Sequence, residues 1–294
     1  TREELLARVP GIDGLLCLLT DTIDAAVMEA AGPGLKVIGN YAVGYNNIDL
    51  AEATRRGIVV TNTPGALTEA TADMAWALLF AAARRVVEGD RLTRAGEFKG
   101  WGPSMLLGAD IRRRTLGLIG LGRIGEAMVA PAHGFGMQVI YHDINRRRPE
   151  DEERLGVKYS PLPRLLAAAD FVSVHVPLLP ETRHLLDEQA LRSMKSTAIL
   201  VNTSRGPVLD EHALVKALQS GWIAGAGLDV YENEPCLAPG LADCARAVLA
   251  PHIASATRET RSRMAEMAVD DLMAALAGRR PENLVNPEAW PGQR

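Results

Sequence analysis

The chain has 294 residues, and its 32 Lys and Arg against 36 Asp and Glu give a formal net charge of −4. Hydrophobic residues make up 47% and charged residues 23%, a balance that excludes a disordered chain. The slightly acidic total excludes a general attraction to nucleic acid or to an anionic membrane. The longest apolar run, Met74–Ala83, is about half the length that a membrane span needs. We therefore expect neither nucleic acid nor a membrane as a partner.

The number and spacing of the cysteines indicate the redox state of the compartment. The three cysteines, Cys17, Cys236 and Cys244, are an odd number and contain no CxxC spacing. They cannot form a complete disulfide framework, so we expect a reduced, cytoplasmic setting. No HExxH motif and no Cys/His cluster has the spacing of metal ligands, and we expect no metal site.

The beginning of the chain alternates short apolar strands with helices. A long apolar-periodic helix at about Thr68–Arg85 follows this segment. The pattern predicts strands at Gly14–Leu19, Lys36–Gly39 and Ile58–Thr61 and helices at Asp24–Ala31 and Leu50–Arg56.

The middle of the chain repeats a strand–helix–strand pattern with continuously apolar strands. Such runs are typical of strands buried on both faces, and their alternation with helices predicts a parallel, doubly wound sheet. The predicted strands are Thr115–Gly120, Gln138–Asp143, Phe171–Val176, Ala198–Thr203, Gly225–Val230 and Ala247–His252, and the predicted helices are Ile124–His133, Leu162–Ala169, Glu188–Met194 and Glu211–Gln219.

A second long amphipathic helix, at about Arg258–Ala277, closes the chain and is followed by Gly278. The order of elements predicts one domain inserted into another. We expect the doubly wound sheet to form one domain at residues 66–253 and the remaining elements to form a smaller α/β domain at residues 1–65 plus 254–294.

The first predicted strand of the middle segment leads into a GxGxxG motif and then a helix. Gly120 permits the tight turn, Gly122 allows a pyrophosphate to approach the backbone, and Gly125 allows the helix to pack closely on the strand. The amides at the start of the helix, at Arg123 and Ile124, then bind the phosphates.

The next strand ends in an acid, Asp143, 18 residues after Gly125. A carboxylate there accepts hydrogen bonds from the adenosine ribose hydroxyls and repels a 2′-phosphate, which favours NAD. The arginines that follow, Arg146, Arg147 and Arg148, are interpreted either as a solvated turn or as a basic patch that tolerates a 2′-phosphate. The cofactor is therefore predicted to be NAD, with NADP as the open alternative.

Four polar residues follow strands at the edge where open parallel sheets bind ligands: Arg205, Asp229, Glu234 and His252. Reduction of a ketone by hydride needs a proton donor for the developing alkoxide, a group that keeps that donor charged, and a cation for a substrate carboxylate. A His/Glu pair with an arginine supplies all three.

The order of GLGRIG, Asp143, NTSRG, GLDVYENEP and PHIASAT resembles the NAD-dependent D-isomer-specific 2-hydroxyacid dehydrogenases over nearly the whole chain. The resemblance implies a catalytic set of Arg205, which binds the substrate carboxylate and carbonyl, His252, the acid/base, and Glu234, which keeps His252 protonated. It also implies that residues 66–253 form a dinucleotide-binding Rossmann domain, inserted into a flavodoxin-like substrate domain, and that Asp229 and Thr203 lie near the cofactor. The backbone amides of Val43 and Gly44 are then expected to bind the substrate carboxylate.

Within that family, Trp101 in GWGP followed by LLG resembles the glyoxylate/hydroxypyruvate reductase branch. The resemblance implies reduction of a small 2-keto acid to the D-2-hydroxy acid, in a homodimer whose contact includes this loop. Trp101 then either borders the partner's substrate site or only packs in the interface.

Two other functions stay open: a D-3-phosphoglycerate dehydrogenase, and a non-catalytic NAD-sensing protein similar to transcriptional corepressors. The chain also departs from the family pattern at Pro131, which interrupts a predicted helix. Members of the family begin with a strand, a helix and a second strand ahead of the point that matches Thr1, so we expect either a longer natural protein or an incomplete small domain.

Overall fold

The computed structural model describes residues 1–291, which form two parallel sheets with helices packed on them. The strands are β1 (Gly14–Cys17), β2 (Val37–Asn40), β3 (Val59–Thr61), β4 (Thr115–Ile119), β5 (Gln138–His142), β6 (Val157–Tyr159), β7 (Phe171–Val174), β8 (Ile199–Asn202), β9 (Gly225–Leu228) and β10 (Ala247–Leu249). The α-helices are α1 (Arg2–Arg8), α2 (Ala25–Ala31), α3 (Leu50–Arg55), α4 (Thr68–Ala83), α5 (Val86–Arg94), α6 (Arg123–Ala127), α7 (Val129–Gly134), α8 (Pro149–Leu155), α9 (Leu162–Ala168), α10 (Glu188–Ser193), α11 (Glu211–Gln219) and α12 (Arg258–Leu276).

The chain divides into two compact units. One comprises Thr1–Thr68 together with the residues from Ser255 onward, and the other comprises Glu69–Ala254. These borders lie within three residues of the predicted domain limits.

The longer unit contains a seven-stranded sheet in the order β10-β9-β8-β7-β4-β5-β6, and every pair in it is parallel. The chain leaves β4 toward β5 and β6, then returns to β7 on the other side of β4. One face of the sheet packs against α9, α10 and α11, and the other against α4 and α7. The predicted doubly wound α/β class is therefore confirmed.

The shorter unit contains the parallel sheet β1-β2-β3. Its core includes the fully buried Ile23, Val27 and Met28, and α12 packs on the sheet near Val37. The buried Asn286 joins the end of the chain to β3, because its Oδ1 accepts the Val60 amide at 2.7 Å and its Nδ2 donates to the Ile58 carbonyl at 2.9 Å.

The first crossover helix of the longer unit is interrupted, as Pro131 predicts. In place of one helix over Ile124–His133 there are two, α6 and α7, which meet at Met128. Pro131 has no N–H to donate to Ala127, four residues earlier, so the first helix ends there. Within residues 1–291, no helix is both long and apolar enough to cross a membrane.

Candidate active site

The glycine-rich loop follows β4, where the order of the sheet reverses between β4 and β7. Gly120 has φ +93°, and a Cβ there would lie 2.7 Å from the His175 carbonyl oxygen at the end of β7. A Cβ at Gly125 would lie 2.3 Å from the Gly120 carbonyl oxygen. Both positions therefore require glycine for the fold itself.

The middle glycine of the loop has a different environment. A Cβ on Gly122 would meet no described protein atom within 4 Å, so packing within the protein does not demand a glycine there. The open space lies at the start of α6, where the Arg123 and Ile124 amides have no intrahelical acceptor. This arrangement fits a dinucleotide, because a bound diphosphate would approach at the point where a Cβ would intrude.

Asp143 lies directly after β5 and contacts the same loop. Its Oδ2 accepts the Leu121 amide at 2.8 Å, and its Oδ1 accepts the Asn145 amide at 2.9 Å. The carboxylate is therefore oriented by the backbone of the glycine-rich loop.

The three arginines after Asp143 all have acidic partners. Arg146 lies 2.9 Å from Glu152 and over the Tyr159 ring, Arg147 pairs with Glu126, and Arg148 pairs with Asp151 at 3.0 Å. Arg147 also donates to the Leu121 carbonyl at 2.6 Å, so it closes the turn over the loop. Each of these positive charges is already balanced within the protein.

The segment after β8 carries Thr203 and Arg205. The Thr203 hydroxyl is buried and has no hydrogen-bond partner among residues 1–291. Burying a hydroxyl without a hydrogen-bond partner costs free energy. The position of Thr203 at this edge therefore fits a bound ligand that would supply the missing hydrogen bond. The buried Asn202 shapes the segment: its Oδ1 accepts the Ser204 amide at 3.0 Å, and its Nδ2 donates to the Arg205 carbonyl at 3.0 Å.

Arg205 carries its charge in a partly buried position. Desolvation lowers the pKa of its guanidinium, while the negative charge of Glu234 acts in the opposite direction. Arg205 stays cationic, since an unperturbed guanidinium has a pKa far above neutrality. A cation in partly desolvated surroundings binds a carboxylate more strongly than one in water.

Gly206 allows the Arg205 segment to approach the segment after β9. A Cβ at Gly206 would lie 1.9 Å from the Tyr231 carbonyl carbon and oxygen, and 2.4 Å from the Glu232 nitrogen. No other residue type permits this backbone contact. The glycine after Arg205 thus brings the arginine close to the loop that carries Glu234.

His252 and Glu234 form a hydrogen-bonded pair. His252 Nδ1 lies 2.9 Å from Glu234 Oε2, and Glu234 Oε1 accepts the Tyr231 amide at 3.0 Å. Burial raises the pKa of Glu234, but the hydrogen bonds from His252 and Tyr231 outweigh burial and hold it below its ordinary value. The carboxylate is therefore ionised at neutral pH, and it uses Nδ1 of His252 while leaving Nε2 for another group.

Asp229 stabilises the turn that carries His252. It is fully buried, and its two oxygens accept the Ile253 amide at 2.8 Å and the Ala254 amide at 2.7 Å, directly after His252. His252 itself has φ +53°, a conformation that side-chain-bearing residues rarely adopt, so the turn needs such support. Burial raises the pKa of Asp229, while the two amide hydrogen bonds lower it.

Val43 and Gly44 belong to the shorter unit, after β2. Asn62 Nδ2 donates to the Val43 carbonyl at 2.7 Å, and Asn40 Nδ2 donates to the Gly44 carbonyl at 2.8 Å. The amides of Val43 and Gly44 donate to no backbone or side-chain acceptor in the part of the chain that the structure describes. Two oriented and available N–H groups suit an anion.

The longer unit thus brings together the sequence-predicted Arg205, Asp229, Glu234 and His252. Sequence reasoning missed the residues that orient them, chiefly Asn202, Gly206 and Tyr231, whose hydroxyl donates to the Ala250 carbonyl at 2.9 Å. Asn202 and Gly206 lie within the same NTSRG segment as the predicted arginine, so the sequence could have indicated that they position it. No group of three or more potential metal ligands occurs within residues 1–291.

Comparison with known proteins identifies the family. Residues 76–254 match the model of the D-isomer specific 2-hydroxyacid dehydrogenase NAD binding domain. The chain belongs to the D-isomer specific 2-hydroxyacid dehydrogenases. It is therefore an NAD(P)-dependent oxidoreductase that transfers hydride between the nicotinamide and a 2-keto or 2-hydroxy acid.

Relatives and solved structures are similar to this chain over nearly its whole length, and two of the three described here carry reductase names. The glyoxylate reductase of Korarchaeum cryptofilum is 58% identical over 98% of this chain and 87% of that protein. The crystal structure of the TT0316 protein from Thermus thermophilus has TM-score 0.90 and 51% identity, covering 97% of this chain and 89% of that one. A Sinorhizobium meliloti NADPH-dependent glyoxylate/hydroxypyruvate reductase in complex with NADP and malonate has TM-score 0.88 and 36% identity, covering 97% and 88%.

His175, beside the glycine-rich loop, is a partly buried histidine in this dehydrogenase. Its Nε2 lies 2.9 Å from Ser173 Oγ, and burial lowers its pKa from 6.5 to about 4. Protonation therefore favours the unfolded chain, so the stabilisation is present above pH 6.5 and is lost as the pH falls toward 4.

Replacing His175 with Gln removes this titration while keeping a polar group near Ser173. Between pH 7 and pH 5 we expect the wild-type free energy of unfolding, measured in urea, to fall by about 2 kcal/mol more than that of His175→Gln. His212→Gln, at an exposed position, serves as the control and retains the wild-type pH dependence. Equal losses in wild type and His175→Gln would contradict the assignment.

Proposed function

We propose that the protein reduces glyoxylate or hydroxypyruvate with a reduced nicotinamide cofactor to give glycolate or D-glycerate. The observation that carries the proposal is the His252–Glu234 pair beside Arg205 at the carboxyl edge of the dinucleotide sheet. The 58% identity with an archaeal glyoxylate reductase supports the substrate class.

In the proposed reaction, the reduced nicotinamide, when bound, supplies a hydride to the keto carbon. His252 gives its Nε2 proton to the carbonyl oxygen as negative charge develops there. Glu234 accepts the hydrogen bond from Nδ1 and so orients the ring, which leaves the proton on Nε2 for the transfer. In the reverse direction, the same histidine takes the proton from the hydroxyl group.

Arg205 is proposed to bind both the carboxylate and the keto oxygen of the substrate, which fixes the keto carbon for attack. The Val43 and Gly44 amides are proposed to bind the carboxylate. The glycine-rich loop, with Gly120, Gly122, Arg123, Ile124 and Gly125, together with Asp143, Thr203 and Asp229, is proposed to bind or border the cofactor.

His252→Gln tests the proton donor. We expect kcat with glyoxylate to fall by about a hundredfold or more, because general acid catalysis contributes about that much, while NADH binding measured by fluorescence titration is unchanged. His212→Gln serves as the control, because His212 is exposed, and this variant is expected to retain wild-type kcat. If wild type and His252→Gln both bind NADH and neither oxidises it with any 2-keto acid, the NAD-sensing alternative is favoured instead.

The same assay separates the substrates. Loss of NADH absorbance is compared for glyoxylate, hydroxypyruvate, pyruvate and phosphohydroxypyruvate. A preference for phosphohydroxypyruvate above tenfold in kcat/KM, about 1.4 kcal/mol, would indicate a D-3-phosphoglycerate dehydrogenase and contradict the proposed substrate class.

NAD is the proposed preferred cofactor. Asp143 is proposed to face the adenosine ribose, where its charge would repel a 2′-phosphate. The ion pairs of Arg146, Arg147 and Arg148 support the proposal, because neighbouring acids balance their charges. NADP use stays the alternative, as in the similar Sinorhizobium meliloti enzyme.

Asp143→Ser tests this preference. Removing the carboxylate is expected to shift the ratio of kcat/KM for NADPH over NADH upward by about tenfold, since an unfavourable charge contact worth about 1.4 kcal/mol is lost. Asp110→Ser, whose carboxylate is 91% exposed, is the control and leaves the ratio unchanged. An unchanged ratio in Asp143→Ser would show that this carboxylate does not face the ribose.

A homodimer is proposed through the segment from α5 to residue 107. Helix α5 has no buried residue, and the loop after it exposes Phe98, Trp101 (82%) and Leu107 (63%). Clustered apolar side chains in contact with water are typical of an association surface.

Trp101→Glu tests the surface. We expect sedimentation equilibrium of the wild type to give twice the 31.6 kDa chain mass and the variant to shift toward the monomer, because a charge replaces a large apolar contact. Met273→Glu, at an exposed apolar position on α12, leaves the mass unchanged. A wild-type monomer would contradict the proposal.

A cytoplasmic setting is proposed from the thiols. Cys17, Cys236 and Cys244 are all free, and burial raises the pKa of Cys17 to about 12. Free thiols are typical of a reducing compartment.

A further inference from the structure

A buried carboxylate lies beneath the loop that carries Glu234. Glu211 is the first residue of α11 and is 2% exposed. Its Oε1 accepts the Glu232 amide at 2.5 Å, and its Oε2 accepts the Ala238 amide at 3.2 Å. These two amides stand on either side of Glu234 along the chain, so one side chain joins both arms of the loop.

The helix itself does not need this carboxylate. Asp210 already caps α11, because its Oδ1 accepts the Ala213 amide at 2.9 Å. Glu211 instead points away from its own helix and uses both oxygens on the loop. The Glu232 side chain lies elsewhere, with its Oε1 2.6 Å from His184 Nε2.

Burying the carboxylate of Glu211 is energetically unfavourable unless hydrogen bonds compensate for the loss of water. Burial raises the pKa of Glu211, the two amide hydrogen bonds lower it, and the neighbouring charge of Glu232 raises it further. The hydrogen bonds that Glu211 accepts are the main interactions that favour its ionised form, and the nearby His212 adds a smaller contribution. Those bonds are the two that define the loop.

The contacts continue from the loop to the histidine. Tyr231 and Glu232 are consecutive residues: the Tyr231 amide donates to Glu234 Oε1 at 3.0 Å, and the Glu232 amide donates to Glu211. Glu234 Oε2 in turn lies 2.9 Å from His252 Nδ1. Asp229 likewise accepts two backbone amides directly after His252. The loop of each member of the His252–Glu234 pair is therefore held by one buried acid.

We infer that Glu211 is a positioning residue that holds Glu234 within hydrogen-bond reach of His252. The inference rests on the proposed roles of Glu234 and His252. In this proposal Glu211 contacts neither substrate nor cofactor, and it acts only through the loop that carries Glu234.

The test is a double-mutant cycle with Glu211→Gln and Glu234→Gln. A glutamine has one acceptor oxygen, and its amide group would face a second N–H donor, so one bond to the loop is lost. Glu211→Gln alone is expected to lower kcat with glyoxylate by about tenfold or more, with the NADH dissociation constant unchanged. In the Glu234→Gln background, the same change is expected to lower kcat less than twofold, because nothing remains for Glu211 to position.

The matched control is Glu188→Gln. Glu188 is also the first residue of a helix behind an aspartate cap, but its carboxylate pairs with Arg192 at the surface, and kcat is expected to stay at the wild-type value. The inference stands if the loss from Glu211→Gln is at least fivefold larger with Glu234 present than without it. A smaller ratio overturns it, since a general structural role lowers kcat equally in both backgrounds.

Two further variants keep the result interpretable. If circular dichroism shows that Glu211→Gln does not fold, Glu211→Asp is measured by the same ratio, because it keeps the charge but cannot reach both amides. Glu234→Gln alone tests the proposed function: a wild-type kcat there would refute the role of Glu234. A normal loss there with no loss in Glu211→Gln would refute only the present inference.

Discussion

The hydrogen bond between His252 and Glu234 is the interaction on which the site depends, because the two residues come from loops after different strands. His252 follows β10 and Glu234 follows β9, and the loops meet at 2.9 Å. The carboxylate fixes the orientation of the imidazole ring by accepting from Nδ1, so that Nε2 is left for proton exchange. The surrounding structure keeps this distance short.

Buried polar groups supply most of that control. Asp229 binds the amides after His252, Glu211 binds the amides around Glu234, and Asn202 binds the turn before Arg205. Each of these side chains orients a loop through hydrogen bonds to backbone groups. Gly206 completes the arrangement by permitting direct backbone contact between the Arg205 and Tyr231 segments.

Much of this could be predicted from sequence, and for identifiable reasons. The continuously apolar strands and the glycine-rich turn after β4 indicate a doubly wound sheet, because both follow from burial and sterics within a few residues. The strand β6 was missed because Val157–Tyr159 is only three residues long and partly exposed at the edge of the sheet. Helix α5 was missed because it buries no side chain and so lacks an apolar stripe directed at a core.

The site residues show the same limit. Arg205, Glu234 and His252 could be singled out because their residue types match a reaction and each follows a strand. Tyr231 and Glu211 could not, because their roles consist of hydrogen bonds to backbone groups distant in sequence, such as Tyr231 to Ala250 and Glu211 to Glu232. Pro131 is an intermediate case, since the break in the helix followed from its ring alone while the position of the break, at Met128, required the structure.

In the proposed reaction, Glu234 accepts a hydrogen bond from Nδ1 of His252 and leaves Nε2 to exchange a proton with the substrate. Nitrogen-15 NMR of histidine-labelled enzyme measures this directly, through the ¹H and ¹⁵N signals of the His252 ring. We expect a proton on Nδ1 in a strong hydrogen bond, with a downfield ¹H signal that disappears in Glu234→Gln. A His252 ring with Nδ1 unprotonated, or a signal unchanged by Glu234→Gln, would contradict it.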